Sequence, residues 1–208
     1  GLGMKYMEPL KWEVWWIIHV TIAMIIFPIA WAIIVVPNLF EVIGNAPNDA
    51  VFLGMLFGFL WGVGGILFGK SVPYIGLSLT YGIVMGLAAS VGSIIPLLQV
   101  EDAYLNPATN YVIIAVFIML VGVALTAKAG IERDKLIGDT NDPSNMSKGI
   151  MIAVSCGILS ALLNVGFSNA TPVALEAEKM GALTRNSSLA AWIVVLLGAF
   201  LMNFGYAV

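Results

Sequence analysis

Charge is scarce in this chain. Asp, Glu, Lys and Arg make up 10% of its 208 residues, and six long stretches hold almost none of them. A soluble globular domain carries about 25% charged residues, so that class is excluded. The net charge of −3 comes with no basic patch to hold phosphates, which sets nucleic acid aside as a partner. One cysteine, Cys156, excludes a disulfide framework and reads as a small packing residue inside an apolar run. With one histidine and no pair of carboxylates inside any apolar run, the ligand sets of a membrane-embedded protease, a metal centre or a haem site are missing. Neither an enzyme nor a cofactor is expected. Gly1–Pro9 lack the charged-then-apolar pattern of a leader and read as the tail of an earlier element.

Hydrophobic residues account for 60% of the chain, with a mean hydropathy of +0.98. They gather in runs at roughly 12–36, 50–69, 74–98, 111–129, 149–170 and 188–206. Each exceeds the roughly 18 residues at which an apolar run becomes a candidate for crossing a hydrocarbon core of ~30 Å. None shows the polar stripe of a soluble core helix, and strands of a membrane barrel would alternate over about ten residues. The expected class is therefore all-α, a polytopic helical membrane bundle with six spans.

The basic residues alternate between the joints. Lys5, Lys11, Lys70, Lys128, Arg133, Lys135 and Lys148 fall on one side, and only Lys179 and Arg185 on the other. By the positive-inside rule the first side is cytoplasmic. Trp12, Trp15, Trp16 and Tyr111 suit the interfacial aromatic belt, and Lys70 ends the second span as a snorkelling side chain. The polar stretch 131–147 is expected to be a cytoplasmic linker, with Pro143 as a stop and Ser147 as a helix cap. It leaves four spans before it and two after. Pro28, Pro96 and Pro172 are expected to kink or end their helices. Glycines recur every fourth residue at Gly54, Gly58 and Gly62, and small residues do so at Ser78, Gly82, Gly86 and Ser90. Such rows let helix backbones approach closely in lipid.

A bundle without catalytic groups fits transport, which needs a polar site near mid-membrane. His19 is the clearest ionisable side chain inside a span. Imidazole titrates near neutral pH, so it suits a proton path, or else a neutral hydrogen-bonded histidine near the interface. Ser160 lies one turn before Asn164, with Asn169 five residues further on. These amides fit either a sugar's hydroxyls or a cross-link between helices. Trp61 and Tyr81 sit among glycines in neighbouring spans, and fit either core packing or the apolar face of a pyranose.

The run Trp61-Gly62-Val63-Gly64, followed by Gly69, Tyr74, Gly76, Ser78, Gly82, Ile83, Gly86, Val91-Gly92 and Pro96, resembles the L-rhamnose–proton symporter family of the drug/metabolite transporter superfamily. Lys11-Trp12-Glu13, Pro37-Asn38, Gly122-Val123, Ala129-Gly130, Lys148-Gly149, Cys156-Gly157-Ile158-Leu159-Ser160-Ala161 and Pro172 extend the likeness over nearly the whole chain. The resemblance implies ten spans in two inverted halves. Residues 1–130 are then the remainder of the first five-helix repeat without its first helix, 131–147 the linker, and 148–208 the start of the second repeat. The tetrapeptide ending at Pro9 echoes the one ending at Pro172, as an internal repeat would.

The resemblance also implies proton-coupled import of L-rhamnose or a related deoxyhexose across a bacterial inner membrane, by alternating access. Trp61, Tyr81 and Asn164 are the expected sugar contacts and His19 the expected participant in proton coupling. Sugar, protons and the lipid bilayer are the expected partners. The rival readings are an exporter of metabolites or drugs on the same scaffold, and a non-transporting sensor or assembly partner.

Overall fold

A computed structural model describes residues 12–99, 102–137 and 143–208, and these are helical with no strand among them. The echo between the segments ending at Pro9 and Pro172 lies partly outside the described residues. In chain order the helices are α1 (Trp12–Val20), a π-helical segment (Thr21–Ile26), α2 (Phe27–Val35), α3 (Leu39–Asn45), α4 (Asn48–Gln99), α5 (Pro107–Ile137), α6 (Pro143–Asn169), α7 (Thr171–Lys179) and α8 (Thr184–Ala207). A short 3-10 turn, Ala103–Leu105, precedes α5.

Five helical stretches are long and apolar enough to cross a membrane: Glu13–Val35, Asn48–Gln99, Pro107–Gly130, Asn145–Lys179 and Thr184–Ala207. The second is 52 residues long and contains one non-helical residue, Gly76, at φ 76° and ψ 162°. Such a backbone is closed to most L-residues and open to glycine. In a continuous helix, Phe68 and Tyr81 would lie about 20 Å apart along the axis. Their ring centroids are 5.1 Å apart, so the chain folds back at Gly76. Its limbs, 48–75 and 77–99, give the sixth span. Residues 70–73, expected as the joint, are instead helical with Pro73 inside, because one glycine suffices to turn the chain.

α5 runs on to Ile137, so residues 131–137 of the stretch expected as a linker are helical. One expectation in this stretch is corrected. The next helix opens at Pro143, not after Ser147. Proline is preorganised for a first helical turn, where its missing N–H has no intrahelical partner to lose. Pro172 likewise stands in the first turn of α7, while Pro96 is accommodated within α4.

The first span is not uniform. Phe27 donates its N–H to Ile22 O, five residues back, which closes the π segment just before Pro28 in the first turn of α2. Pro28 has no N–H to bond the preceding turn, and widening that turn relieves the clash between its ring and the backbone.

The chain forms two compact units, divided at Gly62/Val63 within α4 and at Val165/Gly166 within α6. In the unit holding the described residues up to Gly62 and Gly166–Val208, α8 packs on α1, the π segment, α2 and α7. Gly54 meets Val194, and Gly62 meets Met202, so α8 runs parallel to the first limb of α4. A side chain at Gly58 would overlap the Val195 carbonyl, and one at Gly198 would overlap the Met55 carbonyl. Backbone therefore meets backbone here, as the glycine row leads one to expect. α3 packs on α7, burying Leu39 and Val42 of one and Val173 and Ala177 of the other.

The other unit, Val63–Val165, has a core of Ile75, Leu79, Ile83, Val84, Ala153 and Cys156. The second small-residue row faces α5, with Gly82 on Thr126 and Gly86 on Val123. Two fully buried hydroxyls join the limbs across the Gly76 corner. Ser71 and Thr80 Oγ atoms lie 3.2 Å apart, and they donate to Phe68 O and Gly76 O respectively. In lipid, where no water can substitute, this mutual satisfaction is what lets two polar groups lie buried.

Candidate functional site

The richest polar cluster inside a span belongs to the first unit, where α1 meets α8. Asn203 is 2% exposed. Its Oδ1 accepts a 3.1 Å hydrogen bond from Trp16 Nε1, and its Nδ2 donates to Ala199 O at 2.9 Å. The His19 ring lies 5.5 Å from the Trp16 ring at 31°, and 6.3 Å from Trp15 at 62°. Trp15 closes edge-on against Trp16 at 5.4 Å. Gly62 offers bare backbone to this amide: a side chain there would come within 3.1 Å of Asn203 Nδ2.

The sequence places these groups together for simple reasons. Trp15, Trp16 and His19 fall within one turn of α1, and His19 stands two residues before the π segment. Asn203 lies one turn after Ala199 on the buried side of α8, where a small residue admits a neighbouring helix. After its two hydrogen bonds the Asn203 amide retains one N–H and one acceptor lone pair. In this conformation the Asn203 amide is buried against Trp16 and Ala199, while the His19 ring, which lies against Trp16, is exposed.

Sequence reasoning singled out His19 and did not single out Asn203. Trp16 was legible only as an interfacial anchor. The available signal was the solitary amide inside the apolar run 188–206, since polar residues inside spans are expensive and tend to be functional.

The other expected sugar contacts are distributed differently. Trp61 is half-buried in the first unit, next to Gly62. Tyr81 and Asn164 belong to the second unit and are exposed. Tyr81 packs edge-on against Phe68 at 84°. Asn164 lies against Gly92, with its Nδ2 where a Gly92 side chain would be. Gly92 is about 16 Å along the limb from Tyr81, so these two side chains do not meet. Ser160, one turn before Asn164, packs on Gly64 instead, and Cys156 Sγ donates to Gly64 O at 3.0 Å.

Comparison with known proteins was informative for sequence and not for structure. A family model described as L-rhamnose-proton symport protein matches residues 3–208. An L-rhamnose-proton symporter of Mannheimia succiniciproducens is 31% identical over 208 residues, covering 99% of this chain and 60% of that protein. One from Yersinia pestis bv. Antiqua is 28% identical over 205 residues, covering 97% and 60%. The chain thus spans about 60% of the length of these curated relatives. No solved structure matches.

Proposed function

The chain belongs to the L-rhamnose-proton symport family, a family of transport proteins rather than enzymes, and from that premise we propose that it forms part of an importer of L-rhamnose or a related deoxyhexose, coupled to protons. It is a multi-pass helical protein of a bacterial inner membrane. The observation that carries the proposal is the family match over residues 3–208. The Trp16–His19–Asn203 cluster is the local chemistry that fits it.

The proposed mechanism is alternating access. His19 takes up a proton while its ring stays against Trp16, and the charge favours the sugar-loaded state. In the first unit Trp61 offers an aromatic face to the apolar side of the sugar ring; in the second, Tyr81 and Asn164 offer an aromatic face and an amide at separate points of the sugar's path. Each role is a proposal for the whole transporter, in which further residues take part. The glycine seams allow helices to shift without large side chains to unlock.

The test is uptake of labelled L-rhamnose by cells lacking their own transporter and expressing the full-length protein, with and without a protonophore. Uptake abolished by the protonophore, and reduced at least about tenfold by Trp61→Ala or His19→Leu, supports the reading; that factor equals about 1.4 kcal/mol of lost interaction. No uptake above background, despite verified membrane insertion, would falsify it and favour an exporter on the same scaffold.

A further inference from the structure

In the second unit, at the end that charge assigns to the cytoplasm, a cleft opens between α5 and the start of the 77–99 limb. It is lined by Ser78, Leu79, Thr126, Ala129, Gly130 and Arg133, and encloses about 210 Å³. Pockets for drug-sized ligands run to ~300–1,000 Å³, so this one takes a small group. Its wall is cut away by residues with little side chain, Ala129 and Gly130, while Ser78 and Arg133 supply the polar atoms; the Thr126 hydroxyl already donates to Gly122 O at 2.8 Å. The Arg133 guanidinium reaches over the Gly76 corner, 3.8 Å from where a side chain at Gly76 would begin.

We propose that this cleft binds the phosphate headgroup of an anionic phospholipid of the cytoplasmic leaflet. Three observations converge on that occupant. The guanidinium is a planar donor suited to phosphate oxygens, with the Ser78 hydroxyl beside it in the same cleft. Further cations belong to the same end of these helices: Lys148, whose Nζ lies 5.3 Å over the Tyr74 ring, Lys70, next to Ser71, and Lys128, which pairs with Glu132 at 3.9 Å. Basic pockets between spans at this level are where acidic lipids are held.

The third observation separates a lipid from free phosphate. From Ala129 in the cleft wall, the surface of α5 continues at helical spacing through Leu125, Val121 and Ile118, all exposed. This apolar track leads away from the cleft toward mid-membrane and is what an acyl chain attached to the headgroup would lie along. The carbonyl end of α5, one turn beyond Arg133 at Ile137, weighs against an anion. The side chains, not the backbone, must therefore hold it.

Native mass spectrometry of the full-length protein tests the site, with equimolar phosphatidylglycerol and phosphatidylcholine of identical acyl chains. The expected result is about fivefold preference for retained phosphatidylglycerol, the factor one basic side chain supplies at an anionic surface. Arg133→Gln should remove it, and Ala129→Leu, which fills the cleft and keeps the charge, should reduce it. If Arg133→Gln does not fold, Ala129→Leu decides. Equal retention of both lipids by the wild type would overturn the proposal. So would a preference unchanged in Ala129→Leu, or one lost equally in Lys128→Gln, since that marks diffuse surface charge. Displacement of the lipid by millimolar inorganic phosphate would assign the cleft to the free anion instead.

Discussion

Asn203 shows what a single polar side chain does inside a span. Its amide bridges α8 to α1 through Trp16, and replacing it by leucine should lower stability by about 0.6–1.7 kcal/mol, the range for hydrogen bonds between membrane helices. Thermal unfolding of the full-length protein in detergent measures this. If uptake falls much further than that loss explains, the amide also touches substrate. Ser90 provides a contrast. Its hydroxyl is buried and has no hydrogen-bond partner among the described residues, so Ser90→Ala should leave the melting temperature unchanged or raise it. A clear drop would reveal a partner for that hydroxyl. His19 was legible in the sequence because histidine occurs once, inside an apolar run. Asn203 was not, because a lone asparagine near the end of a run looks like fraying, and only the fold brings Trp16 to it.

At the scale of elements, small residues decide which helices meet. Gly58 and Gly198 each occupy ground where the opposing backbone leaves no room. Gly198→Leu should therefore separate α8 from the first limb of α4, at the roughly 1–3 kcal/mol or more that overpacking costs. Reduced yield of folded protein in size-exclusion chromatography would show it, with the exposed Gly205→Leu as the silent control. The row at Gly54, Gly58 and Gly62 was readable as a seam, since a four-residue period states its own geometry. Its partner was not, because nothing in the row distinguishes α8 from any other span. The corner was misplaced for a related reason: Lys70 and Pro73 carry the usual signals of a helix end, while Gly76 is one glycine among 22. Gly76→Ala should cost about 1–3 kcal/mol, because φ 76° and ψ 162° lie in a region essentially restricted to glycine, visible as a lower melting temperature.

For the whole molecule, six apolar runs made the class legible, because the bilayer imposes span length, and the alternating charge pattern leads one to expect an orientation. Of the residues expected at the site, Trp61 and His19 fall in one compact unit and Tyr81 and Asn164 in the other, a division that the linear order of the sequence does not display. Orientation is open to direct test. Cys156 is buried and should not react with a membrane-impermeant maleimide. With any cysteine outside these 208 residues replaced, Asn106→Cys in the full-length protein should label in intact cells. Lys148→Cys should label only after permeabilisation, and the reverse pattern would invert the assignment.

The widened turn at Thr21–Ile26 changes how the first span can be read and edited. A π turn amounts to one residue inserted into an α-helix, and each residue advances the helix by about 100°. Everything before it, Trp15, Trp16 and His19 included, is therefore out of phase with everything after Pro28 by about that angle. A heptad or face plot drawn through the whole span mixes two different surfaces. Deleting one residue, such as Ala23, would let the segment close as an ordinary α turn and swing the aromatic–imidazole face about a quarter of the way around the helix, with the span hardly shortened. In this stretch the number of residues sets an angle, and an insertion or deletion here acts as a rotation.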